Sequence, residues 1–201
     1  MKFGTDHYIH LGYINQFKIE GKKYGDILLS HLNQSYFVYP VFFHYLIANF
    51  FYSSVRNPKL INYGINLISI IFLNLFIVRL LPAQDLVFMI KVNFISLIFP
   101  FSYVNWNAKN SGLSVRSFGL LLGQLFTYCL ILYIKDGLKI WFLFMVLFSF
   151  LSLISSQFAF QYLVFISIVI SVILLKLELL IPFLSSIALF FIFFPKLSVQ
   201  Y

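Results

Sequence analysis

The sequence predicts an all-α, polytopic transmembrane bundle, and three observations carry that expectation. Of the residues, 61% are hydrophobic, with mean hydropathy +0.93, against roughly 45–50% apolar residues in soluble domains. The apolar residues run in long blocks, as bilayer-crossing helices require. Basic residues stand singly at the ends of those blocks, where positive-inside and snorkelling side chains belong.

Residues 1–37 are polar and mixed, with Lys18, Glu20, Lys22, Lys23 and Asp26 around a "GKKYGD" turn, and read as water-facing. Then comes "YFVYPVFFHYLIANFF", where Pro40 suits a helix's first turn. Its apolar run is interrupted by His44 and Asn49 and lasts about a dozen residues, whereas a spanning helix needs about 20. An interfacial helix at about 40–55, flat on the membrane, is expected there. Spans are expected at 60–81, 84–104 and 117–134, the last closed by "KDGLK". The tract 138–177 is too long for one helix and divides at "SSQFAFQ", Ser155 to Gln161, and a last span covers 179–194. The expectation is about six spanning helices in a single transmembrane domain, 1–201, with 1–59 outside the spans.

If 40–55 crossed the membrane, Lys and Arg would divide nearly evenly between its two sides. If it lies flat, Arg79, Lys135, Lys139 and Lys176 share one side, which the positive-inside rule makes cytoplasmic. The N-terminal 59 residues, the 105–116 loop and "SSQFAFQ" then share the extracytoplasmic side of a multi-pass plasma or inner membrane protein.

The net charge is +8, but no basic face emerges, so nucleic acid is not an expected partner; membrane lipid is. The lone Cys129 excludes disulfides within the chain and Cys-based metal sites, leaving a buried, inert thiol. No P-loop, Gly-rich nucleotide fingerprint, HExxH or Ser/His/Asp spacing is present, which argues against a nucleotide-driven pump.

On the shared extracytoplasmic face, Asp6 is followed by His7 and, one helical turn on, by His10. Positions 6 and 10 share a helix face, so an Asp/His pair could shuttle a proton or bind a metal; an Asp before "HYIHLGYI" is equally an N-cap. Lys109 and Arg116 are the cations of the second loop, which also carries Asn105 and Asn110. They suit a phosphodiester at headgroup level, or serve as interfacial anchors. Gln157 and Gln161 are either substrate contacts or parts of a helical hairpin turn. Lys91 and Asn74 read as inter-helix or snorkelling groups, and Tyr128, Tyr133 and Trp141 as interface-belt residues.

Four stretches in order resemble the C-type integral-membrane glycosyltransferases, which include dolichyl-phosphate-mannose-protein mannosyltransferases and the aminoarabinose transferase of lipid A. "GTDHYIHLGYI" is similar to the acidic motif of the first external loop, and "YFVYPVFFHYLIANFF" to the membrane-surface helix closing it. "NSGLSVRSFGLLLGQL" resembles the second external loop and its helix, and "LISSQFAFQ" a later stretch. The resemblance implies transfer of a sugar from a polyprenyl-phosphate donor on the extracytoplasmic face. Asp6 would act as the base, Lys109 and Arg116 would hold the departing phosphate, and His7, His10, His44, Asn105, Asn110, Gln157 and Gln161 would line the substrate groove. The second loop lacks the acid of metal-dependent oligosaccharyltransferases, so neither a metal nor another cofactor is expected. The chain starts inside what would be the first loop, so the resemblance makes it an internal or N-terminally trimmed piece, with activity in doubt. The alternative class is a non-catalytic membrane subunit, or a flippase or transporter of lipid-linked sugar.

Overall fold

Pro58 opens a helix of 23 residues, a position where proline's missing N–H costs nothing. In the computed structural model, which describes residues 5–22, 41–80, 87–88, 90–91, 113 and 115–194, that helix is α3 (Pro58–Leu80). Before it come α1 (Thr5–Lys18), α2 (Phe42–Phe50) and a 3-10 turn (Tyr52–Arg56). After it come α4 (Val115–Asp136), α5 (Lys139–Ser155), α6 (Gln157–Leu174), a second 3-10 turn (Leu177–Leu180) and α7 (Ile181–Phe193). The described residues contain no strand, so the all-α expectation holds for them.

Among the described residues, two helices are long and apolar enough to cross a membrane: Leu60–Leu80, with mean hydropathy 2.0, and Val115–Asp136, with 1.8. Lys139–Ser155, Phe158–Leu174 and Leu177–Phe193 are apolar but shorter. A bundle of six spans is therefore not established: two helices reach spanning length, and most of the expected span 84–104 lies outside the described residues.

Of the stretch 1–37, expected to face water, the described part forms α1, Thr5–Lys18, and the rest lies outside the described residues. The spacing His10, Tyr13, Ile14, Phe17 puts one stripe of α1 toward α2, and all four are buried. With Val41, Phe43, Ile47, Val55, Ile65 and Leu121, that stripe forms a core where α1, α2 and the first 3-10 turn meet the N-terminal halves of α3 and α4. The segment expected at 40–55 is α2 plus the 3-10 turn, each far too short to span a bilayer.

The tract 138–177 breaks inside "SSQFAFQ". Ser156 has extended backbone, and its Oγ accepts from the Ala159 N–H at 3.4 Å, capping α6. Ser156 and Ala159 also press against Gly119 of α4, where an added Cβ would stand 2.7 Å from Ser156 Oγ and 2.8 Å from the Ala159 Cβ. One turn on, a Cβ added at Gly123 would stand 3.1 Å from the Tyr162 ring. The four-residue glycine spacing thus lets α4 and α6 approach closely, a packing mode common in membranes. It was not read from the sequence. At its far end α4 closes on Gly137, whose φ of +67° lets its N–H reach the Tyr133 carbonyl at 2.8 Å.

Helices α3 and α4 run parallel. The Phe76 and Tyr128 rings stack between them at 4.3 Å, and Arg79 pairs with Asp136 at 2.8 Å where both helices end. Tyr128 is therefore an inter-helix group rather than a belt residue, and Tyr133 and Trp141 pack against a second core around Phe126, Leu130, Met145 and Leu163. Asn74 donates to the Ile70 carbonyl of its own helix at 2.8 Å, and Cys129 is buried.

Alongside its two apolar cores, the described bundle buries several serines and exposes many large apolar side chains. Ser149, Ser152, Ser155, Ser167 and Ser186 are 0% exposed, and Ser149 Oγ meets Ser186 Oγ at 2.9 Å. Outside, α3 presents Leu60, Leu67, Ile71, Leu75 and Val78 on one face, and α6 presents Phe165 and Ile173. Only 22% of the α3 window is buried.

Gly119→Ala is expected to destabilise the bundle by about 1–3 kcal/mol, because neither Ser156 nor Ala159 can give way cheaply. Gly64→Ala on α3, with nothing within 4 Å, is expected to change stability by less than about 1 kcal/mol. Thermal unfolding of the two variants in detergent checks this, and equal midpoints would refute the close approach.

Candidate functional site

The helix directions gather the sequence's polar features at opposite ends of the bundle. At one end α1, α2 and the start of α3 meet the start of α4 and the α5–α6 turn. At the other, Arg79 and Asp136 pair, and Lys135 Nζ reaches the Arg79 and Leu80 carbonyls at 3.4 and 3.5 Å. Lys139 opens α5 right beside them. Lys176 follows α6, which runs parallel to α4 from the Gly119 contact through Tyr162, whose hydroxyl lies 3.4 Å from Thr127 Oγ1. The four cations expected to share one side thus lie at one end of the bundle, and α1, α2 and the "SSQFAFQ" turn at the other.

The candidate residues fare unequally. Asp6 and His7 lie in the first turn of α1, inside the helix rather than ahead of it, and their side chains lie outside the described set. Asp6 stands one turn before His10. Asn105, Lys109 and Asn110 also lie outside the described residues. Arg116 is exposed on the first turn of α4. Gln161 is exposed on α6, and Gln157 begins that helix with its side chain outside the described set.

The structure does bring two candidates together. His10 Nδ1 and His44 Nε2, separated by 34 residues in sequence, lie 2.8 Å apart in a hydrogen bond between α1 and α2. His44 is wholly buried and His10 is 9% exposed. The Tyr13 ring stands edge-on to His44 at 5.1 Å and Phe43 at 5.8 Å. At this N–N distance one ring must donate N–H and the other accept with a lone pair. Burial, reinforced by the neighbouring His10, holds His44 well below the ordinary imidazole pKa of 6.5. Among the described residues no group of three or more His, Cys, Asp or Glu is placed to hold a metal.

Beside this pair, between α2, α3 and α4, lies an apolar cavity of about 240 Å3. Phe43, Ile47, Ile61, Ile65 and Phe118 line it, and Ser54 is the one polar side chain among its described walls. Leu60 and Ile68 belong both to its wall and to the exposed face of α3, so it opens on that face. Neither histidine lines it. The cavity was not read from the sequence, since its walls come from three helices far apart along the chain.

No protein-family model, curated protein or solved structure matches the chain.

His44→Ala is expected to cost on the order of 2–3 kcal/mol, from the void left in the core and the lost bond to His10. Denaturant unfolding in detergent measures it. Wild-type stability in His44→Ala would show that the pair does not hold α1 in place.

Proposed function

We propose that the protein is a multi-pass integral membrane protein that transfers a sugar from a polyprenyl-phosphate donor at the end of the bundle where α1, α2 and the α5–α6 turn meet. One observation carries the reading: a cavity suited to hydrocarbon opens on the exposed apolar face of α3 at the same end as Asp6 and Arg116. A substrate with an apolar tail and an anionic head would meet both features at once. The membrane part rests on the two helices of spanning length and on the exposed large apolar side chains beside buried serines, an arrangement favourable in hydrocarbon and costly in water.

In this reading the prenyl tail lies in the cavity between α2 and α3. The phosphate sits near Arg116, whose guanidinium suits two phosphate oxygens and carries a fixed charge through the reaction. Lys109 is the second cation in the reading. Asp6 draws the proton from the acceptor hydroxyl as that oxygen attacks the anomeric carbon. The bond from that carbon to the phosphate oxygen breaks, and the polyprenyl phosphate leaves with the electron pair. No metal enters the scheme. The positive end with Arg79, Lys135, Lys139 and Lys176 faces the cytoplasm.

The chain in proteoliposomes with a labelled polyprenyl-phosphate sugar tests this. Asp6→Asn is expected to lower transfer at least about a hundredfold, the scale of general-base catalysis. Arg116→Gln should chiefly weaken the use of donor. Full transfer by Asp6→Asn would remove Asp6 from the reaction. Flipping of the labelled lipid without transfer would favour a flippase.

A further inference from the structure

We infer that the end of the bundle opposite α1 and α2 is a binding surface for anionic phospholipid. The lipid phosphate meets Lys135, Lys139 and Lys176, and its chains lie on the aliphatic side chains beside them. Three observations meet here, and the first is a pattern. Lys135 follows exposed Ile134, Lys139 stands between exposed Leu138 and Ile140, and Lys176 between exposed Leu175 and Leu177. Each ammonium group therefore has bulky aliphatic neighbours. A phosphate plane with hydrocarbon just beneath it satisfies both kinds of side chain at once.

The second observation is strain. Leu175 closes α6 with φ +52°, in the left-handed region that a Cβ disfavours and where glycine is the usual residue. Leu175 is also 89% exposed, and Leu177 76%. In water, glycine at 175 would relieve the backbone and remove exposed apolar surface together. A leucine is favoured there when its side chain enters hydrocarbon.

The third observation is charge. Among the described residues, Arg79, Lys135, Lys139 and Lys176 share this end with two acids, Asp136 and Glu178. Arg79 engages Asp136 at 2.8 Å, and Lys135 Nζ reaches the last carbonyls of α3, which holds its ammonium at the seam between α3 and α4. Leu179, three residues after Lys176, is buried in the core of Leu130 and Met145 that Tyr133 and Trp141 pack against. That anchor sets the turn carrying Lys176 at the same edge as Lys139. The excess of positive charge selects a net-negative headgroup over a zwitterionic one, whose own cation the lysines repel. Asp85 lies outside the described residues and is kept unchanged in every variant of the test.

The surface rests on the membrane reading proposed above and not on sugar transfer, so a failed transferase reading leaves it standing. Trp141 stands two residues after Lys139, and Trp106→Phe makes it the one tryptophan of the chain. That full chain is reconstituted into bilayers of phosphatidylcholine and phosphatidylglycerol, one or the other carrying bromine on its acyl chains, which quenches tryptophan on contact. Quenching by brominated phosphatidylcholine reports that this end lies in a bilayer. The ratio between the two brominated lipids at equal content reports the headgroup preference. Phosphatidylglycerol is expected to be favoured about fivefold, the scale of one lysine at a membrane surface. Lys139→Gln/Lys176→Gln should bring the ratio near one, and Lys18→Gln/Arg56→Gln, which removes two cations at the α1–α2 end, should leave it unchanged. Equal quenching by both lipids before any lysine is changed would overturn the proposal. So would a preference that survives in Lys139→Gln/Lys176→Gln, or one lost equally in Lys18→Gln/Arg56→Gln. No quenching by either lipid would overturn it together with the membrane reading.

Discussion

Under the membrane reading proposed above, the placement of side chains in this bundle turns on where a hydroxyl can go when the helix surroundings are hydrocarbon. Backbone N–H and C=O groups satisfy one another inside each helix, so the choice falls on side chains. The serines of α5, α6 and α7 turn inward, where Ser149 finds Ser186. Ser152, Ser155, Ser167 and Ser171 lie buried without a hydrogen-bond partner among the described residues. In water this would be the wrong arrangement, because the hydroxyls could be solvated outside while Leu67, Leu75, Phe165 and Ile173 filled the core. Within lipid the outward position gives a serine nothing, and small side chains at the contacts let the helices close on one another. Gly119 and Gly123 carry that to its limit, with Ser156 and Tyr162 resting on bare backbone.

The same constraint explains why the α1–α2 end differs in character. There the packing is that of an ordinary aromatic core: Phe17 on Tyr45, Phe43 on Phe118, and Tyr13 on His44. Helix α2 is nine residues long and α1 only fourteen, so neither can stand by crossing a bilayer. Their stability comes from the face each shares with the other and with α3 and α4. A polar pair buried in such a small core ties two short helices together. The cavity beside it is walled by Phe43 of α2 and Phe118 of α4 on one side and by Ile61 and Ile65 of α3 on the other.

How much of this can be read from the residues depends on sequence distance. Helix boundaries were legible where a single residue enforces them: Pro58 at the start of α3, Gly137 after α4, and the serine pair before Gln157. The polar stretch before α2 was misread because Lys18, Glu20 and Lys22 dominate its composition, although His10, Tyr13, Ile14 and Phe17 already mark a helical stripe. The glycine spacing at 119 and 123 was visible but carries meaning only once Ser156 and Ala159 are known to lie opposite. His10 and His44 could each be listed as polar groups in apolar company. Their hydrogen bond could not, since nothing local ties positions 34 residues apart. Of the candidate residues, the described structure places His10, His44 and Arg116 at one end, while Asn105, Lys109 and Asn110 lie outside the described residues, and the cavity was absent from the sequence picture.

The central claim, that the exposed apolar faces meet lipid, can be measured directly. Nitroxide labels at Leu67, Ile71 and Leu75 on α3 and at Phe165 and Ile173 on α6, in the chain reconstituted into liposomes, report collision with dissolved oxygen and with a water-soluble nickel chelate. Oxygen concentrates in hydrocarbon and the chelate is excluded from it. The account predicts strong relaxation by oxygen and little by the chelate at all five positions. Strong relaxation by the chelate along α3 would place that face in water and contradict it.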